Sequence, residues 1–269
     1  MMYIGVRAHD YGRHEPKALA KLVAADGFAT IQLAPTKVLS GVNKFDDITD
    51  AALDETREAF AAAGLKISVY GCYQEIGDLD EAKRRLALDR FCAGAAHAKR
   101  VGAPFIATET TRFEGSDAKR DGALEQLAEG VFRMASAARE HGVMALLEPV
   151  ALHTLNSARL ARALLDRVNS PHLGIVFDPV NMLTEDNLDR QDKIWDEYFE
   201  LLGPDIAAVH LKDVDEHLQW RNLGEGIVHY DRIFPRMGAL GRDLPLLREH
   251  VRPESAHVDI AAIRAWMKG

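Results

Sequence analysis

The sequence predicts a single-domain closed (β/α)8 barrel, and three observations lead there. Eight short apolar, β-branched runs recur along the 269 residues, each followed by a segment with helical spacing. Most runs are continuous rather than alternating, as expected of a parallel strand covered on both faces. A strand-helix unit repeated eight times in about 250 residues is the usual size of such a barrel. The rival architecture, a doubly wound open sheet, advertises a Gly-rich phosphate turn after its first strand. The corresponding segment here, VRAHDYGRHEP, has no such turn. No linker or composition shift divides the chain, so 1–269 reads as one domain.

The elements follow in order. YIGVRA (3–8) is the first strand, and KALAKLVAADG after it carries apolar residues at helical spacing. ATIQLA (29–34) leads to LDETREAFAAAG, and KISVYGC (66–72) to the long LDEAKRRLALDRFCAGAAHAKRVG. Each of these three helices stops at a glycine, the residue that best closes a helix C-terminus. PFIATE (104–109) precedes ALEQLAEGVFRMASAAREHG, VMALLEP (143–149) precedes SARLARALLDRVNS, and LGIVFD (173–178) precedes RQDKIWDEYFELLG. IAAVHLK (206–212) leads to YDRIFPRMGALG, where the interior Pro235 predicts a short or kinked helix. LPLLRE (244–249) and the terminal PESAHVDIAAIRAWMKG complete the eight units.

Composition narrows the function classes. At 47% hydrophobic residues the chain can bury a large core, and 33 basic against 41 acidic residues leave a formal charge of −8. That balance disfavours nucleic acid as a partner, because the nearest basic run, Lys83-Arg84-Arg85, sits in a charge-mixed helix. The start MMYIGVRAHD lacks a leader pattern and no apolar run has the length of a membrane span, so the expected location is the cytoplasm, away from membranes. Cys72 and Cys92 form no pairing or metal-knuckle motif and read as buried thiols.

In a barrel of this kind the active site lies at the C-terminal ends of the strands. Polar residues ending the apolar runs there are Glu148 in ALLEPV, Asp178 in GIVFDPVN, His210 in AAVHLKD and Glu249 in PLLREH, from strands five to eight. Three uncompensated carboxylates converging at one mouth would repel, and a divalent cation between them resolves the conflict. Three carboxylates and one imidazole form an oxygen-rich donor set suited to Mn²⁺ or Mg²⁺, the imidazole also admitting Co²⁺, Fe²⁺ or Zn²⁺. One such ion could hold two adjacent oxygens of a sugar and stabilise an enediolate. His153, in the loop after strand five, could reach substrate, and Lys212 should face the same side of its strand as His210. Trp220 is a candidate pocket aromatic; His9, Gln32 and Glu109 at other strand ends read as rim packing.

At these residues the sequence resembles the sugar phosphate isomerase/epimerase family of xylose-isomerase-like TIM barrels. The resemblance rests on Glu148, Asp178, the stretch His210-Leu211-Lys212-Asp213, the LGEG turn at Leu223 to Gly226, and Glu249, and it covers nearly the whole chain. It implies one divalent metal held by Glu148, Asp178, His210 and Glu249, with Glu148 and Glu249 as the acid/base pair on opposite faces of a small carbohydrate substrate. Where ketose 3-epimerases of the family carry a histidine, three residues after the strand-six aspartate, this chain has Asn181. An amide can hydrogen-bond a sugar oxygen and cannot shuttle a proton. Arg221, two residues before the LGEG turn, falls near the family's substrate-binding arginine. Related barrels are often dimers or tetramers, so the resemblance leaves a homo-oligomer open.

The resulting expectation is a metal-dependent isomerase or epimerase of a small keto sugar, working by proton abstraction beside a carbonyl and a metal-bound enediolate. A lyase or dehydratase acting on a keto sugar or keto-inositol begins with the same abstraction. An apurinic-site endonuclease shares the barrel but needs more strand-end histidines than the scattered 11 of this sequence provide.

Overall fold

The computed structural model describes residues 2–116 and 119–268. Its strands are β1 (Met2–Arg7), β2 (Thr30–Leu33), β3 (Lys66–Gly71), β4 (Phe105–Glu109), β5 (Met144–Glu148), β6 (Leu173–Phe177), β7 (Ile206–Leu211), β8 (Asp213–Val214), β9 (Trp220–Arg221) and β10 (Leu244–Arg248). All but β8 and β9 form one closed parallel barrel in the order β1-β10-β7-β6-β5-β4-β3-β2. Each barrel strand lies within one residue of its expected bounds.

The helices are α1 (Pro16–Ala25), α2 (Pro35–Val38), α3 (Asp50–Ala62), α4 (Glu81–Val101), α5 (Arg120–His141), α6 (Ala158–Val168), α7 (Gln191–Leu202), α8 (Tyr230–Ala239) and α9 (Ala256–Trp266). Side-chain caps start several of them: Thr49 accepts from Ala52 N–H, Asp80 from Ala82 and Lys83, and Ser157 from Leu160. Gly102 ends α4 at φ 77°, a conformation that penalises any Cβ. Pro235 sits inside α8, which spans only ten residues. The four-residue α2 and the antiparallel β8-β9 hairpin have no counterpart in the sequence reading, being too short to leave a periodic signal. The final glycine of the expected terminal helix, Gly269, lies outside the described residues.

Two hydrophobic clusters explain why the barrel positions a site. The larger fills the space between strands and helices. The smaller, Val69, Ala107, Leu146, Val176, Ala208 and Leu247, plugs the barrel interior with one residue from each of six strands. Side chains alternate along a strand, so the residue two positions further on points into the same interior, now at the open C-terminal mouth. Those residues are Glu109, Glu148, Asp178, His210 and Glu249 on five of the strands. None of the described helices is long and apolar enough to cross a membrane.

Candidate metal centre

Glu148, Asp178 and His210 each present a ligand atom, and these atoms all lie within 4.8 Å of one another. His210 Nδ1 is the hub: it is 3.3 Å from Glu148 Oε2, 3.7 Å from Asp178 Oδ2 and 3.3 Å from Glu249 Oε1. All four residues are buried. The other ring nitrogen, Nε2, lies 2.6 Å from Gln32 Oε1, and the Gln32 amide donates from Nε2 to the Tyr73 hydroxyl at 2.5 Å. With its amide oriented that way, Gln32 offers His210 an acceptor only, so Nε2 carries the ring proton.

Nδ1 is then left as a buried nitrogen without a hydrogen-bond partner, facing three carboxylates. A lone pair in that place needs a proton or a cation. Burial opposes protonation of His210, but Glu148 and Glu249 outweigh it and hold the ring's pKa well above the ordinary value when no ion is bound. The orphaned nitrogen and the converging carboxylates fit a divalent cation.

Charges from the chain already enter this cluster. Lys212 Nζ is 2.8 Å from Asp178 Oδ2 and 3.0 Å from Glu249 Oε2, and it donates to Asn181 Oδ1 at 2.9 Å. Burial raises the pKa of Asp178, yet Lys212 wins and holds it below the ordinary value. Glu249 is likewise depressed, by Lys212, His210 and Arg7 against its own burial. Lys212 is itself raised, because Asp178 and Glu249 overcome its burial. Asn181 completes the link. Its amide donates to Glu148 Oε1 at 2.6 Å, and its backbone N–H donates to Asp178 Oδ1 at 3.1 Å. Pro179 makes this geometry, ending β6 so that the Val180–Met182 turn folds back over the carboxylate.

Not every expected residue joins the cluster. Arg221 does not reach it. It is half-exposed on β9 and ion-paired with Asp215, which places it on the outer side of the hairpin. Its neighbour Trp220 faces the site instead, with its ring centre 5.5 Å from Lys212 Nζ and stacked at 3.9 Å on His250. His153 stands at the rim, its Nε2 3.9 Å from Glu109 Oε2.

Of the three residues read as rim packing, Gln32 and Glu109 do more than pack. Gln32 orients the central imidazole, as described above. Glu109 pairs in register with Glu148, and burial together with Glu148 pushes its pKa up to about 7, so it is a protonatable group beside the cluster. His9 packs edge-on against Tyr73, its pKa lowered to about 3 by burial and by Arg7 and Lys37. The sequence reading missed Arg7 altogether, although its Nη1 lies 3.3 Å from Glu249 Oε1. The alternation along β1, β2 and β4 was the available signal for Arg7, Gln32 and Glu109. Of the two thiols, Cys72 is buried and raised to about 12 by that burial, whereas Cys92 is only half-buried.

Residues 20–268 match the family described as Xylose isomerase-like TIM barrel. Ketose 3-epimerase from Arthrobacter globiformis is 30% identical over 122 residues, which is 44% of this chain and only 39% of that relative's length. The solved structure of 3-keto-D-glucoside 4-epimerase from E. coli aligns with a TM-score of 0.76 at 20% identity, covering 98% of this chain and all of that one (100%). The IolI protein, solved with a zinc atom, aligns with a TM-score of 0.75 at 17% identity over 98% and 96% of the two chains. At these identities the structural likeness establishes the fold.

Proposed function

The chain belongs to the xylose isomerase-like TIM-barrel family, and from that premise we propose that it is a divalent-metal-dependent isomerase or epimerase of a small keto sugar. The observation that carries the reading is His210 Nδ1, buried, unpartnered and within 3.7 Å of oxygens from Glu148, Asp178 and Glu249. Those four residues would hold the ion. When bound, it would supply Lewis-acid polarisation of a carbonyl. Three carboxylates and one imidazole suit Mn²⁺ or Mg²⁺, and the imidazole also admits Zn²⁺, the ion in IolI.

The chain's own groups provide the rest. Glu148 Oε2 and Glu249 Oε1 each lie 3.3 Å from the central imidazole nitrogen, which supports a pair in which one carboxylate removes a proton beside the carbonyl and the other returns it. Glu249, kept ionised by Lys212, is suited to the accepting role. Lys212 brings a buried positive charge close to where negative charge would develop on a sugar oxygen. Asn181 holds Glu148 and Lys212 apart at fixed spacing and transfers no proton itself. Trp220 presents an aromatic face of the kind that packs on sugar C–H surfaces.

The test is incubation of the Mn²⁺-loaded protein with a panel of ketoses in deuterated water, followed by NMR. Deuterium exchange at the carbon beside the carbonyl without loss of a group supports the reading. An enone or an eliminated fragment would assign the protein to the lyases instead. Glu249→Gln should preserve the fold and lower turnover by about 10²- to 10⁴-fold, the usual worth of a positioned acid/base group. Metal analysis should find about one ion per chain, as one four-residue donor set implies.

A further inference from the structure

We propose that Arg7 is a positioning residue of the reacting site, the group that fixes the rotation of the Glu249 carboxylate; this rests on the isomerase reading above. Barrel closure puts it there. β1 and β10 pair in parallel register with Val6 opposite Arg248, so the next residues along, Arg7 and Glu249, leave the closing seam side by side.

The guanidinium is used on two edges. Nη1 lies 3.3 Å from Glu249 Oε1, while Nε and Nη2 donate to Asp10 Oδ1 at 3.0 and 2.6 Å. Asp10 in turn accepts the backbone N–H of Val251 on Oδ2 at 3.3 Å. One Arg-Asp unit therefore grips both the side chain of Glu249 and the backbone two residues later. Between those grips His250 adopts φ 57°, a left-handed conformation that a non-glycine residue holds only when its surroundings enforce it.

Lys212 takes the other oxygen of Glu249, Oε2, at 3.0 Å. An ammonium on a flexible stem leaves a carboxylate free to rotate about its last bond, whereas a planar guanidinium on the second oxygen removes that freedom. Proton transfer is sensitive to such alignment, because small displacements from the reactive geometry cost large factors in rate. Arg7 acts through Glu249 and needs no contact with substrate.

The experiment uses Arg7→Met in the full chain reconstituted with Co²⁺, reading ketose turnover and the Co²⁺ d–d absorption bands in parallel. The expected result is a kcat lower by roughly 10- to 100-fold with KM within about twofold, the pattern of a lost orienting partner rather than lost binding. The d–d bands should shift, and millimolar guanidinium should return both the bands and kcat toward wild type. Arg7→Lys should recover only part of the loss. Unchanged kcat and bands overturn the proposal, as do changes that guanidinium fails to reverse. If Arg7→Met does not fold, Asp10→Asn, which loosens the guanidinium without removing it, carries the test: shifted bands with reduced kcat support the proposal, and wild-type values of both overturn it. The bands also separate this proposal from the reading beneath it. A wild-type chain inactive on every ketose defeats the isomerase reading, while bands that move in Arg7→Met and return with guanidinium still uphold the placement of Glu249.

Discussion

His210 can ligate through Nδ1 only while its other nitrogen holds the proton, and the carboxamide of Gln32, 2.6 Å away, is what enforces that state. Replacing Gln32 by Leu keeps a side chain of similar volume on β2 and removes the acceptor, so the ring could rotate or change tautomer. Divalent-ion affinity should weaken by about 10- to 100-fold, the usual cost of losing a ligand's orienting partner. Competition against a chelator of known affinity measures it. An unchanged affinity would show that packing alone orients the ring. The same scale explains why Asn181 was informative in the sequence and Gln32 was not. Asn181 stands in a motif, three residues after Asp178, and its chemistry could be weighed against a histidine there. Gln32 meets its partner 178 positions away in sequence, and its only local mark is its inward phase along β2.

At the scale of elements, the strands were legible because a parallel strand buried on both faces is mostly apolar, and on β5, β6, β7 and β10 the run stops near the polar side chain that meets the open mouth. Reading those stops found Glu148, Asp178, His210 and Glu249. Arg7, which escaped, and Glu109, which was read as rim packing, end β1 and β4 in the same inward phase, but neither belongs to a recognisable motif. The β8-β9 hairpin was illegible for a different reason. Its two-residue strands are held by a side chain rather than by periodicity: the Asp213 carboxylate accepts the backbone N–H groups of Val214, Gly224, Gly226 and Val228 at 2.9–3.2 Å. A Cβ on Gly226 would fall 2.2 Å from that carboxylate, which is why the LGEG turn ends on glycine. Asp213→Ala leaves these donors unanswered and should cost roughly 3 kcal/mol of stability, as expected for hydrogen bonds to a buried charged acceptor. It should also release Trp220 from the mouth. Denaturant unfolding reads the first effect. Loss of Trp220 fluorescence quenching by a bound keto sugar reads the second, and a variant as stable as wild type would show that the hairpin is held elsewhere.

For the whole molecule, the barrel gathers three carboxylates, an imidazole and two cationic side chains at one end, so its stability should depend on pH and, under the proposed ligation, on the ion as well. Without an ion, Asp178 and Glu249 have folded-state pKa values below their unfolded values of about 3.9 and 4.3, so their contribution is present above that range and lost as pH falls through the folded values. His210 is raised above its unfolded value of about 6.5, so its contribution is complete below that pH and lost as pH rises through the folded value. The ion-free chain should consequently be most stable between about pH 4.5 and 6.5, as far as these groups decide it. Ligation runs against the His210 term, because the ion needs Nδ1 without its proton, and each binding event releases that proton. Affinity should climb with pH by up to about tenfold per unit until His210 deprotonates unaided. At a free Mn²⁺ concentration a hundred times the dissociation constant, binding adds about 2.7 kcal/mol, which in a chain of this size raises the melting temperature by roughly 5–10 °C. Thermal melts with and without Mn²⁺ at fixed total metal should therefore diverge progressively from pH 5 to pH 8. An increment that is equal at both ends would mean that no proton leaves His210 when the ion enters, and would remove the imidazole from the ligand set.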